Sequence, residues 1–491
     1  MTPTPDGLSR TERRVWRAFD SGKRVELGAD RPGRDPDRPG RDPGRVVRAE
    51  VLTALLRRVD DPGAERVAAV RLRGAWITGR IDLAGADVHW LLSLYNCVLE
   101  EAPDFSHTTT RTIKLNRCEL PGFAAIWAHI GGHLSMTESR VRGTVELTGA
   151  RVAGELRMNQ TRVTATRSRP AVSAGGLTVD GGCYGRGLRT TGGVRMAGAH
   201  CNGGLVLSGA RLEDPDDAAL DMENAEVVNA LLCNGGFIAR GTVRLRGARV
   251  SGRVSFRQAR LSAPEIAVHA TRLNAEELDL RTARKTIGLL LLEHATVGTL
   301  SDHDTTWPDG IRLTGMTYES IRYWSHPEAV KRRLDWLSRD PAGFRPQPYE
   351  QLAAYYRRTG RDDLARSVLY AEEQRRPRHR WGARIFTTVL EYTVGYGYKP
   401  VRAAYWLAGL LAIGSVAFAA HHPEPLKPDE APHFNPVLYS LDLLSPIGGL
   451  GQREAFDPTG VWQWLAGVLV IAGWVLATAL IAGVGRVYNR R

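Results

Sequence analysis

Three neighbouring residues, Asp302, His303 and Asp304, are the best candidate for a chemical site in this 491-residue sequence. Two carboxylates and an imidazole are common metal ligands. A short cluster without a distant partner, however, is more often a turn. The sequence contains no nucleophile elbow, HExxH motif, phosphate-binding glycine loop or CxxC pair. We therefore predict no catalytic, cofactor-binding or metal residues, with these three as the nearest metal candidates, and the sequence leaves the cofactor unknown.

Arginine provides a second kind of candidate site. Lys and Arg outnumber Asp and Glu by 66 to 53, which gives a formal net charge of +13 at pH 7. This balance favours anionic partners such as lipid head groups or an acidic protein surface. One stretch carries arginines at positions that a strand would turn outward, namely Arg244, Arg246, Arg249, Arg253, Arg257 and Arg260.

This arginine set has two interpretations, because stacked like charges repel one another. In the first, the arginines alternate with glutamates of neighbouring coils, and the candidates are Glu146, Glu155, Glu276 and Glu277. In the second, they form a face that binds an anion or a protein partner. The sequence does not choose between them.

An internal repeat predicts the elements that would position these residues. Segments beginning at Val145, Val194 and Val243 share alternating apolar residues and a Gly-Ala pair, at a spacing of 49 residues. A shorter spacing of 11 residues occurs inside them, as from Gly198 to Gly209. Alternation indicates strands, and a fixed period with glycine corners is typical of stacked coils. We therefore predict a mainly β protein, with a right-handed β-solenoid over residues 67–318 and about 22 residues per coil.

Helical patterns flank the predicted solenoid. We expect residues 1–45 to be a flexible segment with one short helix, and residues 46–66 to form a helical cap. Residues 325–380 have helical spacing, and their stretch from Leu352 to Leu369 resembles a single tetratricopeptide unit. One such unit predicts a helical hairpin rather than a peptide-binding groove.

The cysteines are scattered and odd in number, which indicates reduced thiols in a cytoplasmic core. They are Cys97, Cys118, Cys183, Cys201 and Cys233. Cys97 and Cys118 are 21 residues apart, close to one coil, so we expect them to stack inside the solenoid.

Residues 381–491 predict a membrane domain. Residues 404–420 and 462–484 are uncharged stretches of 17 and 23 residues, which predict two transmembrane helices. Basic residues flank both stretches, so we expect an inner-membrane protein with both termini and the solenoid in the cytoplasm. A basic run should lie at the membrane surface, formed by Arg375, Arg376, Arg378, Arg380 and Arg384.

The segment from Thr393 to Gly397 reads TVGYG, the filter sequence of potassium channels. In those channels the filter lies between two spanning helices, whereas this segment precedes both apolar stretches. We therefore expect a glycine-hinged aromatic turn at the membrane face.

The Gly-Ala repeats resemble those of pentapeptide-repeat proteins, which fold as right-handed β-solenoids. The whole chain also looks like a group of bacterial membrane proteins often labelled "membrane-associated oxidoreductase". That second resemblance depends on the repeats and on residues 348–353, 393–398, 439–446 and 450–452. It implies a solenoid joined to a membrane domain, and its label implies redox chemistry.

Three functions follow from these patterns. The first is a non-catalytic, membrane-tethered scaffold that binds a protein partner or the anionic membrane surface. The second, implied by the resemblance alone, is a membrane-associated oxidoreductase. The third is an oligomeric pore. Nucleic acid is a disfavoured partner, because the basic run directly precedes the apolar stretches.

Overall fold

The computed structural model describes residues 7–32, 42–58, 68–166, 169–322, 329–377, 400–427, 432–445 and 449–488. The chain divides into two compact units, Met1–Gln351 and Leu352–Arg491. The first contains the β-structure that carries the arginine set and the metal candidates. The second contains the apolar helices.

The described strands of the first unit form two large parallel sheets, so the protein is mainly β, as predicted. Pairing partners lie about one coil apart: Ile113 pairs with Leu134, and Leu134 pairs with Leu156. Strands that recur in this way wind into a β-solenoid of about 11 turns. The predicted solenoid is therefore confirmed.

Among the described residues, one sheet has 20 strands: Val25–Glu26, Ala69–Arg73, Asp87–Val88, Leu91–Tyr95, Thr109–Thr110, Ile113–Asn116, His129–Ile130, Leu134–Ser135, Arg151–Val152, Glu155–Arg157, Thr178–Val179, Gly182–Tyr184, His200–Cys201, Leu205–Val206, Glu226–Val227, Ala230–Leu232, Arg249–Ser255, Asn274–Asp279, Thr296–Ser301 and Thr317–Arg322. The other described sheet has 16: Val46–Arg48, Trp76–Thr78, Val98–Leu99, Glu119–Leu120, Phe123–Ala124, Arg140–Val141, Val145–Glu146, Arg162–Thr164, Val172–Ser173, Arg189–Thr191, Val194–Arg195, Arg211–Asp221, Ile238–Arg244, Arg260–His269, Ile287–Leu291 and Ile311–Arg312.

Alternate residues of each strand point inward and stack into apolar ladders. Leu72, Leu94 and Leu115 are in register on successive coils, and each is at most 1% exposed. Full burial of a leucine contributes roughly 1.5–3 kcal/mol. Repetition of such ladders along the solenoid fills its interior and leaves the intervening residues outside.

Each coil turns through residues in the left-handed backbone region, which explains the Gly-Ala pairs. Gly149 and Gly198 both have φ of 65°, where a residue without a Cβ has no steric cost. The alanine that follows each is buried, and its N–H donates to the carbonyl three residues back. Some coils place other residues at the same corner, including Trp127 with φ of 54°. Glycine is therefore favoured at these corners without being obligatory.

The sheets begin before the predicted solenoid boundary. Val46–Arg48 pairs with Trp76–Thr78, although this segment was expected to belong to the helical cap. Helix α1 spans Arg10–Phe19, and helix α2 spans Ala49–Leu56. Glu12 of α1 completes a capping box with Ser9 and also pairs with Arg48 at 2.9 Å. The Glu12 carboxylate thus joins α1 to the strand Val46–Arg48 through an ion pair.

The far end of the solenoid contacts a third helix. The last strand, Thr317–Arg322, extends past residue 318, and helix α3 spans Ala329–Ser338. Arg333 of α3 forms a buried ion pair with Asp302 of the loop after Thr296–Ser301. A short 3₁₀ helix, Asp304–Thr306, follows in the same loop.

Several helices lie in the C-terminal part, as predicted. Helix α4 spans Pro346–Arg358 and α5 spans Asp362–Arg375, within residues 325–380, and the hairpin itself stays a prediction. The remaining helices of the described residues are α6 (Pro400–Ala420), α7 (Pro436–Leu444) and α8 (Val461–Tyr488). Glu424–Pro425 and Phe456–Asp457 form a short antiparallel pair between them.

The structure supports one of the two predicted membrane spans. Within the described residues, one helix, α8, is long and apolar enough to cross a membrane, through its Val461–Thr478 segment. That segment is only 22% buried, unlike the core helix of a soluble protein. The apolar part of α6, Ala404–Ala420, is shorter than a typical span of about 20 residues.

Candidate functional site

The six arginines predicted as a face are divided between the two sheets and the turns that join their strands, and Arg246 and Arg257 lie in turns. Arg244 is registered with Asp221 in one sheet, whereas Arg249 is registered with Glu226 in the other. Four of the six form ion pairs with carboxylates of a neighbouring coil: Arg244 with Asp221 (2.7 Å), Arg253 with Glu277 (2.8 Å), Arg246 with Glu223 (2.8 Å between Nε and Oε1) and Arg249 with Glu226 (3.3 Å).

These pairs leave two members of the set without a carboxylate. Arg257 and Arg260 are exposed, and neither pairs with a carboxylate in the part of the chain that the structure describes. Glu277 was among the glutamates expected to alternate with the set, but Glu155 contacts Arg157 of its own strand instead. Anion binding by Arg257 and Arg260 remains a prediction.

A different set of arginines, which sequence analysis missed, forms an unbroken row on the 16-stranded sheet. Arg140 is registered with Arg162, Arg162 with Arg189, and Arg189 with Arg211. We call these four residues the arginine row. The residue after each one is buried, so the arginines point outward. Strands pair about 4.8 Å apart, which places four cations within roughly 15 Å.

Charge compensation is present at the ends of the arginine row and absent from its middle. Arg140 is registered with Glu119, and Arg211 contacts Glu213 at 2.5 Å. Arg162 and Arg189 are exposed, and no carboxylate of the described residues pairs with them. Adjacent like charges in register are destabilising, so a bound anion would relieve their repulsion.

The neighbouring outward row of the same sheet alternates in charge. Arg195 is registered with Asp221, and Asp221 with Arg244, at N–O distances of 3.8 and 2.7 Å. Asp217 adds contacts of 2.8 Å to Arg195 and 3.1 Å to Arg244. Hydrogen bonds from Arg195 lower the pKa of Asp217. The uncompensated arginine row is therefore a local feature rather than a property of the whole surface.

The spacing along the chain explains why the arginine row was missed. Its members are separated by 22, 27 and 22 residues, so an insertion of five residues interrupts the period. The insertion lies between the strands Arg162–Thr164 and Val172–Ser173. A search that allowed loops of variable length between strands could have found the row.

The three metal candidates do not converge on a common point. Asp302 accepts hydrogen bonds from Arg333 and from the indole N–H of Trp307. Asp304 pairs with Arg332, and Nδ1 of the exposed His303 lies 3.1 Å from Oδ1 of Asp304. Over the described residues, no group of three or more His, Cys, Asp or Glu side chains could hold a metal ion.

The cysteines are buried inside the solenoid. Cys97 and Cys118 contact one another in successive coils, as expected from their spacing. The Sγ atoms of Cys183 and Cys201 are 3.3 Å apart. The hydrogen bond with Cys201, together with burial, raises the pKa of the Cys183 thiol. The Cys183 thiol is therefore a protonated packing group rather than a nucleophile.

The basic run before the apolar helices is only partly described. Arg375 ends helix α5, and Arg376 lies 3.5 Å from Glu373. Arg378, Arg380 and Arg384 lie outside the described residues, as does the TVGYG segment 393–397. Contact of this run with the membrane surface thus stays a prediction.

Three cavities differ in size and lining. Two lie in the first unit and measure about 10 and 30 Å³, enough for one or a few water molecules. The third, about 370 Å³, lies between α6 and α8 and is lined only by apolar side chains, including Trp406 and Ile471. A cofactor site needs several hundred Å³ and some polar groups to orient the ligand, so none of the three fits one.

No family model matches this chain, and neither a curated protein nor a solved structure matches it.

Proposed function

We propose that this protein is a membrane-tethered scaffold whose right-handed β-solenoid binds an acidic protein partner along the arginine row. The observation that carries the proposal is the uncompensated middle of that row, Arg162 and Arg189. Each guanidinium can bind a carboxylate through two parallel hydrogen bonds. A partner that supplies acidic side chains would therefore replace repulsion with charge-assisted contacts.

The rigidity of the row favours a protein over a lipid surface. Backbone hydrogen bonds fix the spacing of the arginines, because each lies in a registered strand. A protein segment presents carboxylates at fixed intervals that can match such spacing. Lipid head groups move laterally, so they respond to the number of nearby cations rather than to their register.

The membrane tether is the second part of the proposal. The length and apolar composition of α8 support one membrane crossing. We propose that α6 crosses beside it, because its uncharged stretch of 17 residues directly follows the basic residues Lys399 and Arg402. The basic flanks then favour the inner membrane and a cytoplasmic location for both termini.

The test compares two double variants of the full-length protein in nanodiscs of neutral phosphatidylcholine. Arg162→Gln/Arg189→Gln removes the middle of the arginine row. Arg257→Gln/Arg260→Gln removes the same charge from two exposed arginines that also have no carboxylate partner in the described residues. Binding of a fluorescent polyglutamate peptide is measured by anisotropy.

We expect the first variant to weaken peptide binding at least about tenfold, because each lost charge-assisted hydrogen bond contributes roughly 1.5–3 kcal/mol. The second variant should change affinity less than about threefold, because Arg257 lies in a turn and is not stacked on a neighbouring coil with Arg260. A loss confined to the second variant would assign peptide binding to Arg257 and Arg260 instead. Equal losses would show that the peptide responds only to net charge. Preference of the parent protein for phosphatidylserine vesicles or single-stranded DNA would assign the row to a different partner class.

A further inference from the structure

The short helix α7 lies between the two long apolar helices of the second unit. Tyr439 of α7 packs edge-on against Phe418 of α6, with ring centroids 4.9 Å apart. Leu443 and Leu444 are buried in one cluster with Leu469 of α8. One side of α7 is therefore enclosed by both α6 and α8.

Two glycines show how far α7 extends along its neighbours. A Cβ on Gly414 of α6 would lie 2.9 Å from Ser440 Oγ, and a Cβ on Gly473 of α8 would lie 2.2 Å from the Leu444 carbonyl oxygen. Gly414 is six residues before the end of α6, and Gly473 is twelve residues after the start of α8. At 1.5 Å per residue, these positions are ~9 and ~18 Å from the helix ends. The C-terminal end of α7 therefore lies deep between the two helices.

After α7 the chain runs back towards the start of α8, and hydrogen bonds to Asp442 hold this returning segment against α7. Its carboxylate accepts hydrogen bonds from the backbone N–H groups of Leu450, Gln452 and Arg453 at 2.9, 3.0 and 2.8 Å. Asp442 is only 2% exposed. A buried carboxylate with three backbone donors is well satisfied without a counter-ion.

The segments before and after this excursion are joined to each other. The Gln452 side chain donates to the His433 carbonyl and accepts from the Asn435 backbone N–H, at 3.2 Å in each case. Asn435 also caps the start of α7. Glu424–Pro425 then pairs with Phe456–Asp457, next to the ends of α6 and α8. The chain thus leaves the end of α6 and rejoins the start of α8 on the same side of these two helices.

We propose that α7 is a re-entrant membrane helix that ends near the middle of the bilayer and exposes one face to acyl chains. The proposal rests on the membrane crossing of α8 proposed above. A depth of ~18 Å is just past the centre of a hydrocarbon core about 30 Å thick. Irregular backbone is tolerated at such depth where protein groups satisfy it, and Asp442 does so for three N–H groups.

The exposed face of α7 identifies the bilayer as its partner. Val437, Leu438 and Leu441 are exposed and apolar. The outward side chains of the flanking helices, such as Val416 of α6 and Val468 of α8, are also exposed and apolar. All three helices thus expose aliphatic side chains, which are more stable in contact with hydrocarbon than with water.

Spin labels on the full-length protein in nanodiscs test this arrangement. Nitroxides are placed at Leu441→Cys on α7, Val468→Cys on α8 and Leu426→Cys between α6 and α7. The parent protein, whose native cysteines are buried, gives the background. We expect Leu441 and Val468 to be accessible to oxygen and protected from a water-soluble nickel complex. Leu426, which is exposed outside the helices, should show the reverse.

Each contrary result has a distinct meaning. Nickel accessibility at Leu441 with oxygen accessibility at Val468 would overturn the re-entrant helix and leave the tether intact. Nickel accessibility at both sites would overturn the tether as well. Protection of Leu441 from both reagents would show that a second protein copy, rather than lipid, covers this face.

Two glycine variants of α8 provide an independent measurement. Gly473→Leu would occupy the space of the Leu444 carbonyl, whereas the position of a Cβ on Gly467 has no neighbour within 4 Å. We expect Gly473→Leu to raise nickel accessibility at the Leu441 label severalfold, and Gly467→Leu to leave it unchanged. Equal accessibility in both variants would contradict the depth assigned to α7.

Discussion

The guanidinium of Arg333 and the carboxylate of Asp302 form a buried bidentate ion pair, with N–O distances of 2.7 and 2.5 Å. Neither side chain is more than 1% exposed. The indole N–H of Trp307 donates a further hydrogen bond to Asp302 at 3.0 Å, and the Trp336 ring centroid lies 4.9 Å from the Arg333 Cζ atom. Helix α3 is therefore held on the last coils by a fully enclosed polar contact.

Loss of one partner from this pair should be costly. Arg333→Gln leaves the Asp302 carboxylate buried without its cation, so we expect a loss of about 3–5 kcal/mol in the free energy of unfolding. The measurement is urea unfolding in detergent, followed by tryptophan fluorescence. Arg332→Gln is the control, because the Arg332–Asp304 pair is partly exposed and should contribute about 0–1 kcal/mol. Equal losses would contradict the structural role of the buried pair.

Two corner glycines with the same backbone conformation should respond differently to substitution. Gly149 and Gly198 both have φ of 65°, but only Gly149 would place a Cβ 2.5 Å from a Trp127 ring atom. We expect Gly198→Ala to lower the free energy of unfolding by about 1–2 kcal/mol through backbone strain alone. Gly149→Ala should cost about 1–3 kcal/mol more, because the indole must move.

A double-mutant cycle in thermal or urea unfolding separates these two effects. Combining Gly149→Ala with Trp127→Ala should recover most of the additional loss, with a coupling of about 1 kcal/mol or more. Additive losses would show that the indole does not restrict this corner.

The N-terminal cap should weaken in acid. Burial alone would raise the pKa of Glu12, but hydrogen bonds from Arg48 and from the backbone of Ser9 and Arg48 outweigh it and lower the pKa to about 2. The ordinary value is 4.5, so this group stabilises the folded state above pH 4.5. Its contribution, about 3 kcal/mol at most, is lost as the pH falls from 4.5 towards 2.

Hydrogen exchange of α1 as a function of pH measures this effect. Protection of the α1 amides, corrected for intrinsic rates, should fall across that window in the parent protein. In Glu12→Gln it should be lower at neutral pH and vary less with pH. A parallel fall in both proteins would assign the acid sensitivity to other carboxylates.

The solenoid thiols should be unreactive in the native state. All five cysteines are buried, so a reagent in solution cannot reach them. The hydrogen bond with Cys201 and burial also raise the pKa of Cys183, and burial raises the pKa of Cys233. A thiol-specific disulfide reagent should therefore modify no cysteine of the native protein and all five after denaturation. Rapid modification of Cys183 or Cys201 without denaturant would show that this interior opens readily.

The period of the sequence was sufficient to predict the solenoid, because inward residues interact with equivalents one coil away. Leu72, Leu94 and Leu115 stack, and so do Cys97 and Cys118, since their coils have almost equal lengths. The strand Val46–Arg48 was less predictable. Its three residues carry too little periodicity to distinguish a strand from the helix that follows.

The sequence by itself determined which residues face inward, because side chains alternate along every strand whatever the coil length. Only the tertiary structure decided which outward residues meet. Loop length sets the register between coils, and a five-residue insertion brought Arg162 beside Arg189. Contacts between distant segments have no local pattern at all: Arg333 with Asp302, and Leu444 with Gly473, arise from the packing of separate helices and loops.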